Sequence, residues 1–278
     1  MYGSAESHGY VKSSADMVTG TRNASGSVVV EARAIHKTFG HVEALRGADF
    51  EARAGQVTAL IGDNGAGKSS LVKILSGVYG ADEGELLIDN TPVRPTSPQD
   101  IQTRGIETVY QDLALAGDLT PYENVFLGRE RRLGGVLGLL NVLDRRGMRD
   151  ATTEIFDGLD VHIKDPKVRV ASLSGGQQQS VAIARAAMWA SHVVIMDEPT
   201  AALGVAQTRS VLDLIRRVAQ SGIGVVLISH NMPEVVDVAD SIQVLRLGRR
   251  VASFRRGEAT IADLVRAMTS GNAPEEQR

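Results

Sequence analysis

The strongest constraint on this chain is the run Gly62-Asp63-Asn64-Gly65-Ala66-Gly67-Lys68-Ser69, set between the apolar Val57-Thr58-Ala59-Leu60-Ile61 and the helix-like Ser70-Leu71-Val72-Lys73-Ile74-Leu75. Glycines at this spacing let backbone N–H groups converge on a phosphate that side chains would otherwise block. The start of the following helix adds a partial positive charge. The run is a P-loop, with Lys68 spaced to bridge β- and γ-phosphates and the Ser69 hydroxyl to hold Mg²⁺. The competing reading is a plain Gly-rich turn; the strand before it and the helix after it count against that.

The chain has 278 residues and 43% hydrophobic content, enough for one large domain or two modest ones sharing a core. A formal net charge of −3 argues against a strongly basic nucleic-acid surface. There is no cysteine, which removes disulfides, thiolate metal sites and cysteine nucleophiles and fits a reducing compartment. The longest mostly apolar stretch, Leu133–Leu143, is flanked by Arg132 and Arg145 and falls short of the roughly 20 residues a membrane span needs. Residues 1–27 are rich in Ser, Gly and Ala and read as a disordered tail, and 272–278 as a C-terminal tail.

Between the tails, Val28–Ala34 reads as an edge strand, Lys37-Thr38-Phe39-Gly40 as a turn, and Val42–Leu45 with Ala48–Ala54 as a strand pair. Asp82–Asp89 reads as a turn and short strand, Ser97–Arg104 as a helix, and Ile106–Asp112 as a strand that runs into Gln111. Strand character is lost after 112, where Pro121–Arg132 and Asp144–Leu159 read as helices. The fold expected is α/β: a P-loop NTPase core with a mainly parallel sheet over 28–271, an N-terminal antiparallel β layer, and a helical subdomain inserted at about 112–190.

Several residues qualify for the chemistry. Phe39 has two readings, a ring packed into the sheet or a ring stacked on adenine; the rest of the pattern favours stacking. Gln111, leaving a strand at the C-terminal edge of a parallel sheet, stands where ligands bind and has an amide able to ligate Mg²⁺ or orient water. Ser174 is a good N-cap for the helix Gln178–Trp189, and Gly175 and Gly176 leave amides open to an anion, so Ser174-Gly175-Gly176-Gln177 reads as a second phosphate-binding element. Val193–Met196 is a buried-type run ending in two carboxylates: Asp197 can hold Mg²⁺ through water beside Ser69, and Glu198 can polarise an attacking water. A third such run, Gly224–Ser229, ends in His230, which can donate to a γ-phosphate.

In chain order the P-loop, Gln111, Leu173–Gln177 (LSGGQ), the Asp197-Glu198 strand end and His230 resemble the ATPase subunit of ABC transporters over residues 28–270. The resemblance implies ATP and Mg²⁺ as cofactors and cassettes that work in pairs, each ATP lying between one P-loop and the other chain's LSGGQ. By the same resemblance Phe39 stacks on adenine, Gly62 through Ser70 hold the phosphates, and Ser69, Gln111 and Asp197 surround Mg²⁺. Glu198 is then the general base, Lys68 and His230 contact phosphate, and Ser174, Gly175, Gly176 and Gln177 serve the partner's nucleotide. One departure stands out: where the family usually has S-A-L-D after the Glu198 strand, this chain has Ala201-Ala202-Leu203-Gly204.

Within the family, Glu198–Gly204, Glu123–Glu130, Gly62–Gly65 and Ser229–Met232 look like single-cassette importers of monosaccharides, the fructose and ribose type. That implies a homodimer on the cytoplasmic face of a membrane permease fed by an extracytoplasmic sugar-binding protein, with no nucleic-acid partner. With 48 residues after His230, the added regulatory domain of maltose-type cassettes is not expected. Kept beside this reading are an exporter cassette and a non-sugar importer. A ribosome- or nucleic-acid-acting cassette would carry coiled coils or a second cassette, and a scaffold without turnover would not need Glu198.

Overall fold

A computed structural model of the chain describes residues 25–135 and 140–270. Residues 1–24 and 272–278 of the expected tails, and 136–139 of the apolar run, lie outside the described residues. In chain order come β1 (Val28–Phe39), β2 (Val42–Arg53), β3 (Val57–Ile61), α1 (Lys68–Leu75), β4 (Glu83–Ile88), β5 (Thr91–Val93), α2 (Pro98–Thr103) and β6 (Ile106–Val109). They are followed by α3 (Pro121–Val125), α4 (Arg145–Gly158), α5 (Gly175–Trp189), β7 (Val193–Asp197), α6 (Val205–Gln220), β8 (Gly224–Ile228), α7 (Met232–Val238), β9 (Ser241–Arg246), β10 (Arg249–Arg255) and α8 (Ile261–Ser270).

The strands form two sheets. One is antiparallel in the order β2-β1-β4-β5; the other has six strands in the order β10-β9-β3-β8-β7-β6, parallel from β9 to β6. All five residues of β3 and of β8 are buried, the run without alternation that a parallel strand covered on both faces produces. Alternate residues then serve opposite faces. Val194 and Met196 join the core under α3, α4, α5 and α6, whereas Val193 and Ile195 join the core between this sheet, α1 and the antiparallel layer. Truncating Ile195, 1% exposed, to Ala would cost about 2–5 kcal/mol.

The inserted helices have no core of their own. Tyr122, Val125 and Phe126 of the α3 region and Met148, Ile155 and Phe156 of α4 belong to the same apolar cluster as Val194 and Met196 of β7. On α4 the buried residues Met148, Thr152, Ile155 and Phe156 fall on one face at helical spacing. Buried Ala182, Ala184, Ala186 and Ala187 let α5 lie close against the sheet.

Six local expectations need correction, the first being the turn expected over Lys37–Gly40, whose first three residues lie in the strand β1. Val28–Ala34 is not an edge strand: β1 runs to Phe39 between β2 and β4 and takes Ala34 through a left-handed φ of 47°, where the ladder register shifts. The expected strand pair over 42–54 is a single strand, because Gly47 at φ 83° carries the chain through rather than breaking it. The strand expected over Ile106–Asp112 ends at Val109, and the helix expected over Pro121–Arg132 is only Pro121–Val125. The helix expected from Gln178 starts at Gly175, since the Ser174–Gln177 capping box outweighs two glycines in the first turn. Among the described residues no helix is long and apolar enough to cross a membrane.

Candidate functional site

The sheet register brings the expected groups to one edge. Leu60 of β3 and Asp197 of β7 both pair with Ile228 of β8, and Val109 of β6 pairs with Met196. The four adjacent parallel strands therefore end together, and from their ends leave Gly62–Ser69, Ser229–His230, Glu198 and Tyr110–Gln111. This is the edge at which open α/β sheets bind ligands.

The loop after β3 is shaped by contact as well as by flexibility. A Cβ on Gly62 would lie 2.2 Å from the Leu245 carbonyl oxygen, and one on Gly67 would lie 2.7 Å from that of Ala44, both at positive φ. Ala66 is buried, and its carbonyl accepts from Gly248 N at 2.9 Å, which ties the loop to the β9–β10 turn. Asp63, Asn64 and Gly65 are exposed along the loop, as is Ser69 in the first turn of α1, with Ser70 half-buried beside it. No acidic side chain in that turn offsets the helix's positive end. Lys68 Nζ donates to the carbonyls of Gly62 at 2.6 Å and Asp63 at 3.0 Å, so its ammonium already lies across the loop. Burial lowers the Lys68 pKa, opposed by the charges of Glu198, Asp63 and Asp197. An anion in the cradle would restore the ammonium's preference for charge.

Burial also raises the Asp197 carboxyl, reinforced by the neighbouring Glu198 and opposed by Lys68 and Lys73. A carboxyl kept out of water beside a second one fits a divalent cation. Among the described residues no group of three acidic, His or Cys side chains could hold a metal ion alone. The hydroxyl, amide and carboxylate oxygens of Ser69, Gln111 and Asp197 are hard donors suited to Mg²⁺ that brings phosphate oxygens and water with it.

Glu198 has a left-handed backbone at φ 50°, held by its N–H donating to the Ile228 carbonyl at 2.9 Å. Such a conformation in a residue with a Cβ persists where the surroundings fix it. Its Oε1 lies 3.0 Å from His230 Nδ1, so the carboxylate and the imidazole meet across the ends of β7 and β8. Three residues that sequence reasoning missed brace this pair. Thr200 Oγ1 donates to Glu234 Oε2 at 2.5 Å, and Asn231 Nδ2 donates to Glu234 Oε1 at 2.6 Å, which joins the turn after Glu198 to the turn after His230. The only sequence signal was a polar residue two or three positions past each strand end.

Phe39 is 40% exposed, so its ring is not sealed in the core and has a face open to a ligand. It stands edge-on to Tyr79 with centroids 5.2 Å apart, and Lys37 Nζ lies 5.7 Å from the ring centre. Tyr79, which follows α1, was missed for want of any local signal. Gln111 stands two positions beyond β6 and is exposed.

The remaining element, Ser174–Gln177, is not brought to the P-loop of the same chain. Ser174 N donates to Gln177 Oε1 at 3.0 Å and Ser174 Oγ accepts from Gln177 N at 3.4 Å. Gly176 leaves room for Gln207 of α6, whose side chain would meet a Cβ there at 3.1 Å. Together with segment 160–163 these residues line a groove of about 340 Å³ that no P-loop residue enters. Gly204, at φ −75° and ψ 162°, sits in extended backbone open to any residue, so the missing carboxylate is a change of chemistry and not of backbone.

The pattern of the ABC transporter family matches residues 45–201. The fructose import ATP-binding protein FrcA of Rhizobium meliloti is 47% identical, the match covering 88% of this chain and 95% of the relative. The xylose/arabinose import ATP-binding protein XylG of Sulfolobus acidocaldarius is 43% identical, over 88% and 95%. Among solved structures, the ADP conformation of the ABC transporter cassette MJ1267 superposes with a TM-score of 0.73 at 27% identity, covering 87% of this chain and 95% of that one. A P-loop, an acidic strand end and a capped Ser-Gly-Gly helix on one α/β frame, with relatives at this identity over nearly their whole length, make the chain a member of the ABC transporter family: an ATP-binding ATPase cassette.

Proposed function

We propose that this cassette hydrolyses ATP with Mg²⁺ to power import of a monosaccharide or similar polyol through a partner permease. The observation that carries the hydrolytic part is the Glu198–His230 contact of 3.0 Å at the strand edge that also presents Lys68, Ser69 and Asp197. Lys68 and the amides of Gly62–Ser70 hold the phosphates, Ser69, Gln111 and Asp197 ligate the cation directly or through water, and Phe39 supports the adenine. Bound with ATP, Mg²⁺ neutralises charge on the β- and γ-phosphates. Glu198 accepts the proton of the attacking water, and His230, held by the same carboxylate, faces the γ-phosphate. Ser174–Gln177 turn toward a second copy of the chain, so the working unit is a homodimer in which each nucleotide lies between a P-loop and the partner's Ser174.

The sugar rests on the fructose and xylose/arabinose importers that the chain resembles at 43–47% identity. No described helix of this chain spans a membrane, so a permease does the translocation, with the cassette on its cytoplasmic face and an extracytoplasmic binding protein delivering the sugar. The docking surface we assign is the inserted region from Gln111 to Leu143. Its described apolar residues support this: Leu127 is 49% and Leu140 68% exposed, with Val142 and Leu143 exposed beside them, unlike an ordinary buried helix. Reconstitution with the permease encoded beside this chain tests the reading through stimulated ATPase. Stimulation by a monosaccharide with its binding protein is expected; stimulation by a peptide, metal or lipid instead would make it an exporter or a different importer.

A further inference from the structure

Helix α5 carries a polar group that the site above does not use. Arg185, near the end of the helix that begins at the Ser174 cap, donates from Nη1 to the Ala114 carbonyl and from Nη2 to the Leu113 carbonyl, each at 2.9 Å. These are the second and third residues after Gln111. Ala114 has a left-handed φ of 48°, a conformation that a residue with a Cβ keeps only where its surroundings hold it. The guanidinium is balanced by Glu107 of β6, 7% exposed, whose carboxylate pairs with Arg129 at 2.7 Å; Arg129 in turn lies over the ring of Trp189 at the end of α5.

Beyond the clamp a buried side chain, Asn124, takes over. Asn124 Oδ1 accepts from Ala116 N at 2.7 Å, and its Nδ2 donates to the carbonyls of Ala116 at 3.0 Å and Thr120 at 3.1 Å. Gln111 and Asp112 are exposed. The chain is therefore held at 113, 114 and 116, directly after the exposed Gln111 and Asp112.

We propose that Arg185 is a positioning residue for ATP hydrolysis: its fork on the Leu113 and Ala114 carbonyls fixes where the chain leaves Gln111, and ties the reach of Gln111 to the placement of α5. A planar guanidinium offers each of the two carbonyls its own N–H from a rigid fork, whereas an ammonium is a compact point charge with rotatable donors on a flexible stem. The inference rests on Gln111 acting as a Mg²⁺ ligand or water orienter, as proposed above.

The test is steady-state ATPase, Mg²⁺ titration and ATP binding for Arg185→Lys, Gln111→Ala and the double variant. Arg185→Lys is expected to lower kcat about tenfold with KM and ATP affinity changed less than about twofold, the signature of a group that acts only in the chemical step. The Mg²⁺ concentration at half-maximal rate should rise several-fold. The double variant should be no slower than Gln111→Ala alone, because both changes act through one amide. Multiplying losses would overturn the clamp, as would Gln111→Ala slow beside Arg185→Lys at the wild-type rate. Gln111→Ala at the wild-type rate would instead remove the reading of Gln111 and the proposal with it. Melting curves accompany each assay, with Arg185→Gln as a second variant; if both Arg185 variants melt below the assay temperature, Arg185 is a stability residue and the proposal fails.

Discussion

The P-loop and the Ser174–Gln177 element, both assigned above to phosphate, differ in what surrounds them. The P-loop is enclosed by its own chain: Gly62 lies against the Leu245 carbonyl, Ala66 is tied to Gly248, and Lys68 sits among backbone oxygens and within the field of Asp197 and Glu198. Ser174–Gln177 is braced by its own capping box and stands beside Leu203 and α6, and its groove contains no residue of the P-loop. On the proposed function the first is a half-site that holds the reacting groups and the second a half-site completed by a second copy of the chain. Bond cleavage would then lie in one and completion in the other, so each should fail in its own way.

The largest effect should come from the first element. Glu198→Gln is expected to lower turnover by about 10²–10⁴-fold, the usual worth of general-base assistance, while ATP binding persists. A rate within a few-fold of wild type would take Glu198 out of that role.

The sharpest comparison of the two uses a mixture. Ser174→Arg and Lys68→Ala should each abolish most turnover, yet mixing them should restore activity. A dimer with one copy of each has one site with both elements intact, so random pairing gives up to about a quarter of the wild-type rate in a symmetric dimer. No recovery on mixing, with dimers seen by light scattering in Mg-ATP, would mean that the elements do not meet across a dimer.

Smaller effects probe how the first element is built. Phe39→Ala should weaken nucleotide binding about 3- to 10-fold, since a stacked ring adds about 0.5–1.5 kcal/mol beyond its area. Unchanged affinity with a large fall in melting temperature would return Phe39 to a packing role. Asp197 gives the smallest shift. Because burial raises its carboxyl in the folded chain, the folded state binds more protons than the unfolded one between the ordinary and the raised pKa, and its contribution to stability falls as pH rises through that window. Asp197→Asn should therefore raise the melting temperature of the nucleotide-free chain at neutral pH, a gain that disappears on acidification. A lower melting temperature would show that the carboxylate is well compensated.

Much of the first element was legible because its signals are local. The apolar runs of β3, β7 and β8 each end at a residue of a different kind, Gly62, Asp197 and Ser229, and burial on both faces leaves that pattern in the sequence. What was not legible depends on partners far along the chain. Nothing within Val28–Ala34 tells that β4 pairs with it on one side and β2 on the other. The contacts of Phe39 with Tyr79, of Thr200 with Glu234 and of Arg185 with Leu113 join residues tens of positions apart and leave no periodicity. Gly47 and Gly175 misled for a simpler reason: glycine disfavours strands and helices on average, and at these positions pairing and capping outweigh that average.

The placement of β3 between β8 and β9 bears on how the protein is made. The N–H of Val57 is held by the carboxylate of Asp240, 183 residues later, and both ladder partners of the P-loop strand belong to the last fifth of the chain. At ribosomal speeds of about 5–20 residues per second, roughly 10–40 s pass between emergence of the Val57–Ile61 strand and that of the strands that flank it. Throughout that interval the growing polypeptide exposes a mostly apolar segment with two unpaired edges. A nascent chain arrested before β9 would therefore carry the whole P-loop sequence and still be unable to form the nucleotide cradle.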